Sequence, residues 1–276
     1  MPPRVNVEAS SFNSVGVPTP LGSLGMTFDE VKALSRQILL AVPHRSQEGI
    51  SPGICINYGL WGPMGVKIFH VGDPNGGYIE VLRAGICRSF LDSCERFPEL
   101  KYLVMIDNDE SVDADCLIRL ARHDLPIVSG IVCSASETKG IFACITVKTK
   151  TGAAYFPTLN STKVMPAEGL VEVHQAGTGL LCIRKDVLET FKSMNEIPFY
   201  IPESTRRDGA ATGDLSRSED ISFSDVCEKL GIKRYADLSV HAKHRKPLTL
   251  SWPLENIDAT LRAEDWDVKP HDSEGG

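Results

Sequence analysis

The sequence predicts an α/β fold with a mostly parallel central sheet and a small antiparallel portion. Three observations predict it. In the first half, short apolar runs alternate with segments of helical period, the pattern of strands joined by crossover helices. Runs such as residues 103–106 and 126–133 are apolar almost throughout, as strands buried on both faces are. In the second half, Lys150-Thr151-Gly152 separates two strand-like stretches, 142–147 and 153–156, which is a hairpin signal.

The elements follow in order. Residues 1–25 are rich in Pro, Gly, Ser and Asn and read as an irregular arm. Thr27 then caps a helix with Asp29 and Glu30 in its first turn. Val31, Leu34, Ile38 and Leu39 recur at helical spacing, and Pro43 lies beyond the end. Ile54-Cys55-Ile56 begins a strand after Pro52-Gly53, and Gly59, Gly62, Pro63 and Gly65 form a loop. Residues 66–71 are a strand and 73–77 a turn. Residues 78–97 form a helix with Ile79, Leu82, Ile86, Phe90, Leu91 and Cys94 on one face. The strand 103–106, a helix over 115–123 and the strand 126–133 complete the first half. After the hairpin come strands at 170–174 and 180–183, a helix over 185–193, a polar loop over 201–217, a helix over 218–230 ended by Gly231, and a last strand near 233–240. Residues 272–276 are expected to be disordered. This gives an arm with an appended helix (1–48), a main domain (49–245, with halves 49–135 and 136–245) and a tail (246–276).

The 276 residues, 42% of them apolar, suffice for a sizeable core. A formal charge of -7 gives no overall attraction to nucleic acid or anionic membrane, although a local basic groove stays open. No apolar stretch is long enough to span a bilayer, and the first residues lack the apolar core of a signal peptide. A cytoplasmic protein is expected. The eight cysteines form no C-x-x-C pair and mostly sit among apolar residues, as buried free thiols do.

The stretch LVMIDNDESVD holds the chemistry-bearing pattern. Four apolar residues, 103–106, run into Asp107-Asn108-Asp109. Ligands in open α/β sheets bind at the carboxyl ends of strands, and two carboxylates at this spacing suit Mg²⁺ or Mn²⁺. The same residues also suit a solvated turn. Glu110, Asp113 and Asp115 read as helix caps and solvated surface. Later, Ser218-Glu219-Asp220 opens a helix, where acids are also simple caps. His241 and His244 follow the last strand, where an imidazole can serve as a metal ligand or orient phosphate.

Taken together, the ordered set resembles the nucleotide-sugar glycosyltransferases of the GT-A fold, family 2 type, over roughly residues 50–245. The residues that carry the resemblance are Leu103 to Asp109, then Gly177-Thr178-Gly179-Leu180-Leu181 with Ile183 to Val187, then Glu219-Asp220 with Phe223, Cys227, Leu230 and Gly231, and lastly Asp237 to His244. The resemblance implies a Rossmann-related three-layer sandwich. It implies metal-dependent transfer of a sugar from a nucleotide-diphosphate sugar to an acceptor hydroxyl. Asp107 looks like the acid that contacts the nucleotide and also borders the metal. Asp109 looks like the metal ligand, joined by His244 in preference to His241, with Mn²⁺ or Mg²⁺ as the ion. Asp220 resembles the catalytic member of the family's acid pair, the base, with Glu219 as its neighbour. Arg88 resembles a basic residue near the nucleotide, or else is an exposed helical arginine. Tyr58 and Trp61 stand where the family's nucleotide loop would lie and either stack on the base or belong to the core. Gly177-Thr178-Gly179, with Gly179 counted at the donor site, permits close approach to the backbone.

In this reading Asp220 takes a proton from the acceptor hydroxyl in an inverting displacement; a donor-binding role for Asp220 would leave a retaining route open. The 201–217 loop, with Arg206, Arg207 and Arg217, would act as a lid. The acceptor class stays open between small molecule, glycan, protein and modified nucleic-acid base, and an oligomer is possible. Rival readings are a nucleotidyltransferase, a metal-dependent nuclease and a non-catalytic nucleotide-sugar-binding domain.

Overall fold

The computed structural model describes residues 24–45, 49–73, 78–136, 140–148, 154–155, 169–201 and 218–244. Helix α1 (Phe28–Ser35) starts as expected. Thr27 Oγ1 accepts from the Glu30 N–H, and a Glu30 carboxylate oxygen accepts from the Thr27 N–H at 2.7 Å, a reciprocal cap. The helix stops earlier than its period suggested. Residues 38 onward form strand β1 (Ile38–Arg45), because Ile38, Leu39, Leu40, Ala41 and Val42 are all buried and occupy both faces. Pro43 is accommodated because pairing with β3 ends at Ala41↔Met105, so no ladder bond is lost on that side. The expected boundary after residue 48 thus follows a strand that lies inside the main sheet.

The next expected strand is a helix. Helix α2 (Pro52–Met64) begins at the N-cap Ser51 with Pro52 in its first turn and ends at Gly65, whose φ is 102°. It carries no charged residue and is apolar on both faces, so its period was invisible. Strand β2 (Lys67–Asp73), helix α3 (Ile79–Arg96) and strand β3 (Tyr102–Ile106) follow as read. A short strand β4 (Glu110–Val112), which the sequence did not suggest, precedes α4 (Cys116–Ala121) and β5 (Ile127–Ser136). The stretch 142–147 divides at Cys144 into β6 (Gly140–Ala143) and β7 (Ile145–Lys148). The predicted hairpin pairs β7 with β8 (Ala154–Tyr155). Then come β9 (Leu170–Val173), β10 (Gln175–Ala176), β11 (Leu180–Arg184), α5 (Lys185–Ser193), α6 (Glu219–Lys229) and β12 (Arg234–His244).

The main sheet has the order β2-β1-β3-β11-β5-β12-β4, with β6 on β5 and β9 on β12. Strands β1, β2, β3, β5 and β12 run one way, and β11 runs against its neighbours β3 and β5. A small antiparallel sheet, β10-β7-β8, stands apart. The mostly parallel sheet with a small antiparallel portion is the architecture the sequence predicted.

Two cores sandwich the sheet. On one face Leu103 and Met105 of β3 meet Ile86 and Phe90 of α3, Phe191 of α5 and Phe223 of α6. Phe199 and Phe191 stack on Phe223 with centroids 4.5 and 5.8 Å away. On the other face Tyr102, Val104 and Ile106 meet Val31, Ile54, Trp61 and Leu117. Alternate residues of one strand therefore feed opposite cores. Five cysteines are buried, Cys144 is half-buried, and Cys55 and Cys133 are exposed. The expected lid with Arg206, Arg207 and Arg217, the tail from 246 and most of the N-terminal arm lie outside the described residues.

Candidate functional site

Strand β3 delivers its carboxylates at its carboxyl end. The Asp107 N–H donates to the Gly179 carbonyl at 3.0 Å, and the Glu110 N–H closes a turn on the Asp107 carbonyl at 3.1 Å. The chain then reverses into β4, whose Glu110 lies opposite His244 of β12. This register brings His244 Nε2 to 3.0 Å from Asp109 Oδ2. The other ring nitrogen, Nδ1, is 2.9 Å from the Cys133 carbonyl and 3.8 Å from Glu110 Oε1. A carbonyl only accepts, so Nδ1 carries a proton and orients the ring, and Nε2 is the nitrogen aimed at Asp109.

One ligand atom each from Asp109, Glu110 and His244 lies within 4.8 Å of the others. Two carboxylates and an imidazole form a donor set that fits Mn²⁺ or Mg²⁺. Gly179 keeps the space beside them open: a Cβ there would stand 3.4 Å from Glu110 Oε1 and 3.2 Å from Val132 Cγ2. Glu110 corrects the expectation of a solvated or capping acid. It is 1% exposed, because pairing of β4 with β12 turns it inward, and no helical or strand pattern in a three-residue strand announces that. Asp113 is exposed, as expected, and Asp115 is buried at the N-cap of α4. His241 turns elsewhere, with Nε2 2.6 Å from the Leu238 carbonyl.

Asp107 belongs to a different group. Arg83 of α3, 3% exposed, donates from Nη2 to Asp107 Oδ1 at 2.6 Å and from Nη1 to Glu219 Oε1. The same Nη1 is 3.6 Å from Asp220 Oδ1. Thr178, itself buried, donates its hydroxyl to Asp220 Oδ1 at 2.5 Å. Glu219 and Asp220 are placed by the first turn of α6, Asp107 by the end of β3, and Thr178 by the turn entering β11. The two carboxylates of the D-x-D pair thus face two groups, the Asp109–Glu110–His244 cluster and an arginine-bridged set.

Electrostatics separates the members of the second group. Burial raises the Glu219 pKa, the Asp220 charge raises it further, and Arg83 opposes both; the result is about 7. For Arg83, burial alone favours the neutral form, but Asp107, Asp220 and Glu219 together outweigh it and the net shift is upward. The guanidinium stays charged. Sequence reading missed Arg83 because Ile79, Leu82 and Ile86 read as the apolar stripe of α3 and an arginine beside it looks solvated; the helix in fact buries Glu80, Arg83, Ile86, Cys87, Phe90 and Cys94.

The expected nucleotide contacts on α2 and α3 lie as follows. Trp61 is 4% exposed, packs in the core and donates Nε1–H to the Ala114 carbonyl at 2.7 Å. No ring face is left for a base. Tyr58 is half-buried, edge-on to Trp61 at 6.2 Å. Together with Asn57, whose amide donates to the Val112 carbonyl at 2.9 Å, and Ser51, whose hydroxyl donates to the Glu110 carbonyl, α2 clamps the segment that carries the carboxylates. Arg88 is exposed and lines a groove of about 270 Å³ between α3 and α5 with Cys87, Leu91, Leu188 and Phe191. Arg83, not Arg88, reaches the carboxylates.

Fold and site together define an α/β protein in which an Asp109–Glu110–His244 group that could hold a cation lies beside an arginine-bridged carboxylate group. No protein-family model matches the sequence, and no curated protein matches it. Among solved structures the chain is similar to A197 from STIV, at 17% identity and a TM-score of 0.45 over 76% of this chain and 86% of that one. It is similar to GalNAc-T7, solved with UDP, GalNAc and Mn²⁺, at 8% identity and 0.41 over 75% of this chain and 43% of that one. It is also similar to a glycosyltransferase involved in the glycosylation of the major capsid of PBCV-1, at 14% and 0.31, over 66% and 72%. At such low identities and TM-scores these likenesses carry no argument about chemistry.

Proposed function

We propose that this chain transfers a sugar from a nucleotide-diphosphate sugar to an acceptor hydroxyl, with Mn²⁺ or Mg²⁺ held by Asp109, Glu110 and His244. The observation that supports the reading is the division of the D-x-D pair: Asp109 turns toward a cation-ligand set, while Asp107 turns toward Arg83 and the Glu219–Asp220 pair. A bound divalent ion would supply Lewis-acid neutralisation of the diphosphate leaving group.

The remaining roles fall to the chain's own residues. Asp107, 28% exposed at its side chain, hydrogen-bonds the nucleotide's ribose from the strand end. Asp220, with a third of its side chain exposed, takes the proton from the acceptor hydroxyl; Thr178 and Arg83 hold its other face. Displacement assisted by this base inverts configuration at the sugar carbon. Gly179 leaves room beside Glu110 at the proposed cation site, while Gly177 lets the turn pack against Cys144. The reading places the chain with the GT-A glycosyltransferases of family 2 type and keeps a cytoplasmic location. No described helix is long and apolar enough to cross a membrane.

The test is a panel of UDP-, GDP- and other nucleotide sugars assayed for Mn²⁺-dependent hydrolysis. Turnover of one nucleotide class is expected, abolished by Asp109→Asn with sugar-nucleotide binding retained. Absence of both metal binding and nucleotide-sugar binding in the parent protein overturns the proposal.

A further inference from the structure

One buried guanidinium touches both ends of the proposed site. Arg83 reaches Asp107 through Nη2 and the Glu219–Asp220 pair through Nη1. A planar fork with two parallel donors can do this, and an ammonium cannot. We infer that Arg83 is a positioning residue: it holds the carboxylate at the nucleotide end and the acid pair at the acceptor end in one arrangement, so neither end moves independently.

The surroundings favour that role over a plain structural ion pair. Arg83 is 3% exposed, whereas Asp107 and Asp220 keep 28% and 33% of their side chains in solvent. The carboxylates therefore face the open site and the guanidinium stands behind them. Three acids against one arginine leave an excess of negative charge, and the proton taken up by Glu219 relieves it. Among the described residues, the charged groups facing the acid pair are Arg83 from α3 and, across it, Asp107 from β3. Glu80 and Cys87 lie buried one turn to either side of Arg83 on α3, and the Thr178 hydroxyl faces Asp220 from the turn before β11. Among the described residues Arg83 is the cation in contact with the pair, so it also influences how readily the pair holds its proton.

The inference rests on the proposed function only for the names of the two ends, and its test separates the two. Arg83→Lys keeps the charge and loses the fork; Arg83→Met loses both. In full-length protein, three quantities are measured: hydrolysis of UDP-glucose, UDP-N-acetylglucosamine and GDP-mannose, Mn²⁺ affinity by calorimetry, and carboxyl ¹³C shifts of labelled Asp and Glu against pH. R83M is expected to lower kcat about 100-fold and R83K about 10-fold, with KM within about threefold. Mn²⁺ affinity should stay within about twofold, because the cation set is separate. The Glu219 carboxyl should titrate about one pH unit or more higher in R83M than in the parent, and close to the parent value in R83K. Full recovery of kcat in R83K would show that charge alone suffices and overturn positioning. An unmoved titration in R83M would also overturn the inference. Should the parent turn over none of the sugars, the functional reading fails while the carboxyl titration still decides the role of Arg83. Should R83M not fold, R83K alone decides it, its kcat loss supporting the fork and parent-like kcat refuting it.

Discussion

Single residues carry the sharpest consequences. Glu219 has a folded pKa of about 7 against an unfolded value of roughly 4.3. The folded state therefore binds the extra proton, and stability falls as pH rises from the unfolded value through about 7. Glu219→Gln removes that loss. The variant's stability, followed by urea unfolding, should be flatter between about pH 4.5 and 7, by on the order of 2 kcal/mol. At the cation set, Asp109→Asn or His244→Ala should weaken Mn²⁺ binding in calorimetry by about tenfold or more, while Asp113→Ala leaves it unchanged. Asp107, Asp109, Glu219, Asp220 and His244 were readable as candidates because each stands at the edge of an element with a visible pattern. Arg83 and Glu110 were not. Their roles depend on which way α3 and the three residues of β4 face, and that is fixed by distant partners: Glu219, 136 positions from Arg83, and β12, which pairs His244 with Glu110.

Elements show why some of the fold was legible and some was not. Strand β3 and helix α3 announced themselves by continuous apolarity and by a one-sided stripe. Helix α2 did not, since a helix apolar on both faces has no stripe, and its glycines and prolines imitate a loop. The boundary between α1 and β1 was lost because Ile38 and Leu39 satisfy both a helical and a strand pattern; burial on both faces of the sheet decides for the strand. The turn before β11 is tightly built. A Cβ on Gly177 would lie 2.5 Å from the Cys144 carbonyl oxygen and 2.9 Å from its Cβ, and neither backbone nor Cβ can yield cheaply. Gly177→Ala should cost about 1–3 kcal/mol in thermal or urea unfolding. It should also lower turnover more than stability predicts, because Thr178 moves with the turn and Asp220 loses its hydroxyl partner.

At the scale of the whole molecule, a second buried polar network ties β12 to α4. Asp237, 2% exposed, accepts from Ser239 N–H at 2.9 Å and lies 2.8 Å from His123 Nε2. Arg119 donates to the Ser239 hydroxyl at 2.5 Å. Burial alone would raise the Asp237 pKa, but the hydrogen bonds from His123 and Ser239 overcome it and bring it down to about 2. A depressed carboxylate stabilises the fold above its unfolded pKa of roughly 3.9, and that contribution is lost as pH falls toward about 2. Asp237→Asn should destabilise the protein by about 2–4 kcal/mol at neutral pH, and the difference from the parent should shrink in unfolding curves taken below about pH 3. The network is invisible in sequence, since nothing about Asp237 within the last strand shows that α4 packs against it.

The pairing of β4 with β12 has a consequence for a chain emerging from the ribosome. Asp109 and His244 are 135 positions apart, and β12 is the last described element. Its neighbours β5, β9 and β4 are all made before it. A nascent chain can thus bury most of both cores while its cation set still lacks the imidazole. On the proposed function, a divalent ion would find its full set of ligands only once the last described strand has been made, so metal loading would be a late event, coupled to the closing of the sheet.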